Sequence, residues 1–286
     1  MRKSEIGKPL VFEILIKEQN TKNILKTKIA HQSEILLSFS FWFSKTLETC
    51  LKVKGVNFNY KRIPIQLLLE VGFELIELIY WTGAAVFGFA TLLFSYLEGR
   101  RSGPILGFHS NTLVCFITLV SYVVMALALG TIQADNGQPI YWTRWLFYIA
   151  SCSILTLELS FITKKSAAVK AEIALFTGLT MFCGYLASVV TSVERWWFFA
   201  FSTAAFIGML YLLLKGSKSE TVNLNSTLAF VVASWSLFPV VWILAPTGFG
   251  LFTTLIEAAL YLALDFVTKI AFGFYIAKRE NPSSHD

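Results

Sequence analysis

Seven apolar stretches of about 20 residues each follow one another, at roughly 76–98, 112–132, 142–163, 171–192, 196–215, 227–245 and 251–277, with short polar runs between them. A helix of that length crosses the ~30 Å hydrocarbon core of a bilayer. Inside lipid the backbone must satisfy its own hydrogen bonds, which a helix does within one segment. The pattern therefore predicts an all-α protein, a seven-transmembrane-helix bundle whose first partner is the lipid bilayer. Composition agrees: 55% of the side chains are hydrophobic and 15% charged, as in a polytopic membrane protein rather than a soluble enzyme. Cys50, Cys115, Cys152 and Cys183 follow no metal-ligand spacing, and His31, His109 and His285 are scattered in polar runs, so no metal site is expected.

The connections orient the bundle. "GRR" at 99–101, Lys164, Lys165, Lys170, Lys215, Lys218 and "KRE" at 278–280 fall on one side, whereas "ADNGQP" (134–139), "SVER" (192–195) and "APTGFG" (245–250) carry few positive charges. The positive-inside rule then predicts a cytoplasmic carboxyl terminus in an integral protein of the plasma membrane. The net charge of +6 reads as this topology signal and not as a nucleic-acid surface. Three parts are expected: an extension over 1–64, a seven-helix domain over 65–280 and a cytoplasmic tail over 281–286. Within the extension, "SEILLSFSFWFSKTL" (33–47) is apolar but short and carries Lys45. It reads first as an interfacial amphipathic helix, with an eighth span or a soluble tail as alternatives.

The last span holds the chemistry. In "LALDFVTKIAFGF" (262–274), Asp265 and Lys269 stand four residues apart, on one face of a helix. Ionisable groups at such depth are costly and mark function. The pair could bridge two helices, yet a buried lysine is also the residue that condenses with an aldehyde.

"LDFVTK" followed by "GF" resembles the last helix of the microbial rhodopsins. "PIYWTRW" (139–145) resembles their third helix, "RWWFFAFSTAA" (195–205) their fifth and "WSLFPVVW" (235–242) their sixth, in the same order over residues 76–279. The resemblance implies all-trans-retinal as cofactor, bound to Lys269 as a Schiff base with Asp265 as counterion. It also implies a pocket of Tyr148, Thr180, Gly184, Phe199, Ser202, Thr203, Trp235, Phe238 and Pro239, and a trimer as the oligomer.

Alignment of "YWTR" makes Arg144 the family's third-helix arginine and Phe147 the position where outward proton pumps hold an acidic acceptor. Ser151 follows one turn on and Glu158 about three turns beyond Phe147, so the three are expected to line one face over roughly 16 Å. The set Phe147, Ser151 and Glu158, with Cys152 beside the serine, resembles the schizorhodopsins, which move protons inward under light. That likeness implies a proton path from Lys269 past Ser151 and Cys152 to Glu158, with Arg144 on the entry side; Glu257 is left open between proton entry and the capping of a water cluster. Glu74 and Glu77 are expected in solvent. A sensory photoreceptor and a light-gated channel are the alternatives, the second disfavoured because "LVCFITLVSYVVMALALGT" (113–131) offers little polar lining beyond Thr118, Ser121 and Tyr122.

Overall fold

The computed structural model describes residues 65–100, 106–216 and 224–279. Contacts divide the chain at Pro64 into two units, and the described residues all belong to the second, Ile65–Asp286. The expected interfacial helix at 33–47 lies outside the described residues.

Helix α1 runs over Ile65–Gly99, α2 over Leu106–Ala126, α3 over Thr143–Ile162, α4 over Ala167–Val189, α5 over Arg195–Leu214 and α6 over Leu224–Leu244. These six are long and apolar enough to cross a membrane. The seventh crossing is segmented: α7 (Thr254–Asp265), a π-helical turn (Phe266–Ala271) and α8 (Phe272–Arg279) follow without a break. End to end they rise about 38 Å, enough to span. The wider turn coincides with the Asp265–Lys269 stretch, as π turns often do at functional sites. Consecutive helices pack against one another, and α7 returns to α1, closing the bundle.

Two boundaries differ from expectation. The second span ends at Ala126 instead of residue 132, because Ala128 (φ 52°) and Gly130 (φ 68°) take left-handed conformations that stop the helix. The apolar residues that follow enter an antiparallel hairpin, β1 (Thr131–Gln133) and β2 (Pro139–Tyr141), in register Ile132 to Ile140. The first helix starts before residue 76 and presents Glu74 and Glu77 on its exposed side, where Glu77 accepts a hydrogen bond from Trp81.

The hairpin closes one end of the bundle. Gln138 Oε1 accepts from the Thr254 amide at 2.7 Å, and the Thr254 hydroxyl donates to the Pro139 carbonyl at 2.9 Å. Arg195 adds a second tie at this end, donating to the carbonyls of Thr191 and Thr247. Helices α2 and α3 flank the hairpin, so α3 and the seventh crossing run away from it while α2 runs towards it.

Candidate functional site

The site is assembled around the Asp265 carboxylate. Asp265 and Lys269 are both buried, and Lys269 Nζ stands 2.8 Å from Oδ1. The contact is an ion pair off the line of a hydrogen bond. Oδ2 accepts from two phenols, Tyr122 of α2 at 2.8 Å and Tyr148 of α3 at 2.5 Å. Arg144 Nη1 lies 3.9 Å from the same oxygen. One carboxylate thus gathers groups from three helices, and each buried hydrogen bond to a charged acceptor of this kind contributes about 1.5–3 kcal/mol.

The donors are held by packing. The Tyr122 ring stacks on Phe87 at 5.5 Å, and it occupies the space where a Cβ on Gly83 would stand, so α1 must carry glycine there. The Tyr148 ring lies 3.7 Å under Lys269 Nζ, a cation–π contact on the same residue whose hydroxyl serves Asp265. Arg144 sits among the faces of Tyr261 at 4.4 Å, Tyr122 at 5.7 Å and Tyr80 at 6.0 Å. The cluster buries two cations against one carboxylate, and these ring faces offset part of the excess positive charge. Tyr148→Phe and Tyr122→Phe each delete one donor without opening a cavity. Both variants are expected to keep the pigment, to lower its melting temperature by several degrees and to displace its visible band. Wild-type spectra and melting in both would show that the hydroxyls are idle.

Beyond Lys269 a cavity opens between α3, α4, α5, α6 and the π turn. Its wall contains Lys269, the pocket residues that the resemblance implies, Tyr148, Thr180, Gly184, Phe199, Ser202, Thr203, Trp235, Phe238 and Pro239, and also Cys152. Hydroxyls on the wall are consumed locally: Thr180 donates to Phe176, Thr203 to Phe199 and Ser202 to the Thr180 carbonyl. What faces the space is therefore largely apolar side chains and rings, with the Cys152 thiol and a single amine. Pro239 within α6 supplies no N–H to the preceding turn beside the space.

Other wall residues were not anticipated. Trp145, Thr156, Thr177, Met181, Met209 and Trp242 also line the cavity. Trp242 follows Trp235 by two turns, a signal readable in the sequence, whereas Met209 has none. Gly184 makes room chiefly for Trp145, whose Cε3 would be 3.3 Å from an added Cβ.

Not every third-helix residue singled out in the sequence meets the cavity. On α3 the cavity meets Trp145, Tyr148, Cys152, Leu155 and Thr156, and not Phe147, Ser151 or Glu158. Tyr148, expected in the pocket, stands beside Lys269. Phe147 is half-buried; Ser151, donating to the Phe147 carbonyl, and Glu158 are buried inside the bundle. Glu257 stands in the first turn of α7, beneath the hairpin and within electrostatic reach of Arg144.

The sequence model of the family described as bacteriorhodopsin-like protein matches residues 74–280. The chain belongs to the bacteriorhodopsin-like family. Bacteriorhodopsin of Halobacterium salinarum is 32% identical over 215 residues, 68% of this chain and 80% of that one. Sensory rhodopsin-2 of Natronomonas pharaonis is 28% identical over 209 residues, 68% of this chain and 85% of that one. The crystal structure of schizorhodopsin 4 superposes with a TM-score of 0.65 at 36% identity, covering 71% of this chain and 98% of that one. The protein is thus a microbial rhodopsin, integral to the membrane, and retinal is the cofactor of its family. The cavity fits that group: its wall is aromatic and aliphatic, and it has one amine, at Lys269, with a counter-charge one turn away.

Proposed function

We propose that this rhodopsin is a light-driven inward proton pump, taking protons from the extracellular side to the cytoplasm. Retinal, when bound, supplies an aldehyde that condenses with Lys269 Nζ and a polyene whose isomerisation by light turns the N–H at that nitrogen. The remaining work falls to the chain.

The observation that carries this reading is the aryl side chain at Phe147, which leaves Asp265 as the carboxylate beside Lys269, held there as its counter-charge. Oδ2 already accepts from Tyr122 and Tyr148, and Oδ1 faces Lys269 Nζ. A proton arriving on Oδ2 would displace one of these donors, and buried donors left unpaired are costly. Phe147, one turn past Arg144, is an aryl group and takes no proton. Next to Nζ the hairpin side thus offers one carboxylate, Asp265, and two phenol donors and Arg144 favour its charged form. Cys152 on the cavity wall, buried Ser151 and buried Glu158 mark a route to the opposite end. The lysine- and arginine-rich connections lie at that opposite end, which supports its being cytoplasmic, with the carboxyl terminus. Arg144 and Glu257, below the hairpin, then serve the return of a proton to Nζ from outside.

Illumination of an unbuffered suspension of cells making the protein with retinal should raise external pH, and a protonophore should abolish the rise. Acidification of the medium would reverse the vector. Glu158→Gln should keep the colour and lower the inward flux at least about tenfold, the usual scale for removing a proton-transfer group; an unchanged flux would remove Glu158 from the path. The similarity to sensory rhodopsin-2 favours a second reading, a photoreceptor, which predicts a slow photocycle and no pH change in the same suspension.

A further inference from the structure

Asn111 of α2 is a fully buried primary amide at membrane depth, where polar side chains are rare. Its side-chain atoms lie over the backbone of α8 at Gly273: an added Cβ there would be 3.1 Å from Nδ2 and nearer still to Oδ1 and Cγ. Glycine weakens a helix relative to alanine, so its presence just past the π turn reflects this close approach. Gly273 is one helical turn beyond Lys269.

Depth places Asn111 beside the release end. Tyr122 and Tyr148 reach the same oxygen of Asp265 and so mark a common level on α2 and α3, which are packed neighbours running in opposite directions. Asn111 lies about three turns before Tyr122, and Glu158 about three turns after Tyr148, so both stand roughly 15–16 Å from that level, away from the hairpin. Between them and the level, Cys115 and Thr118 follow Asn111 at helical spacing and are equally buried, giving α2 one inward polar face from Asn111 to Tyr122.

We propose that Asn111 is a positioning residue for proton release, a statement that rests on the inward-pump reading. Seated on Gly273, its amide couples the turn that carries Lys269 to the depth of Glu158. An amide both donates and accepts but does not ionise at neutral pH, so it orders hydrogen bonds at that depth without competing for the proton.

The test is flash spectroscopy of the full-length protein reconstituted with retinal. Asn111 is not on the cavity wall, so Asn111→Ala should keep the wild-type visible band while slowing the late photocycle step and the inward flux about tenfold, with partial recovery in Asn111→Ser. Gly273→Ala should lower pigment yield by driving a methyl into the amide, and the double variant Asn111→Ala/Gly273→Ala should recover the yield but not the rate. Wild-type kinetics in Asn111→Ala, or full yield and rate in Gly273→Ala, would overturn the proposal. The pump reading fails separately, by the sign of the wild-type pH change.

Discussion

Lys269→Ala is expected to give a folded protein that stays colourless with all-trans-retinal and moves no protons in light. The amine at position 269 is the one that lines the cavity; among the described residues, Lys164, Lys165, Lys170 and Lys215 sit at the ends of helices. Alanine removes the bond-forming nitrogen and leaves Asp265 with Arg144 and two phenol donors, which is enough partnership to keep the carboxylate buried. Helix content by circular dichroism should therefore match wild type while visible absorption is absent. Lys269→Arg should be colourless too, because a guanidinium stays protonated and does not condense with an aldehyde. Visible colour, bleached by hydroxylamine, in either variant would place the attachment elsewhere and end the functional reading.

Asp265→Asn should be the next most damaging change. It leaves the cation at position 269 buried without its carboxylate and turns two phenol donors onto a neutral amide oxygen. Removing one member of a buried ion pair costs about 3–5 kcal/mol, and Arg144, 3.9 Å away, adds repulsion once the anion is gone. At 1.36 kcal/mol per factor of ten, the cost corresponds to roughly a hundredfold or greater loss. Pigment yield at neutral pH and light-driven flux should both fall on that scale, while Asp265→Glu, which keeps the charge, should retain measurable colour. Wild-type flux in Asp265→Asn would show that another group neutralises the site.

Much of the architecture was legible along the chain because bilayer thickness imposes a length and helical periodicity imposes a face. Both constraints act within one segment. They locate the spans, the one-turn spacing of Asp265 and Lys269, and the aromatic run of α6 with its proline. They misplace the end of α2, since "LALG" is apolar enough for a span yet its left-handed residues turn the chain into the hairpin.

What lies between segments was decided by packing. Tyr122 reads in sequence as a minor polar interruption of an apolar helix, and Tyr148 as one ring of the pocket. Their hydroxyls meet Asp265 from 143 and 117 residues away. Which face of α3 turns to the cavity, and hence that Tyr148 lies under the Lys269 amine while its hydroxyl serves Asp265, depends on how α3 rotates against α2 and α4. The sequence by itself determined the helices, their order and the charged pair inside the last one, because these follow from interactions between residues near in the chain. Only the tertiary structure decided which groups serve Asp265 and that Asn111 rests on Gly273, because the rotation of each helix about its axis is set by side chains that interlock across the bundle.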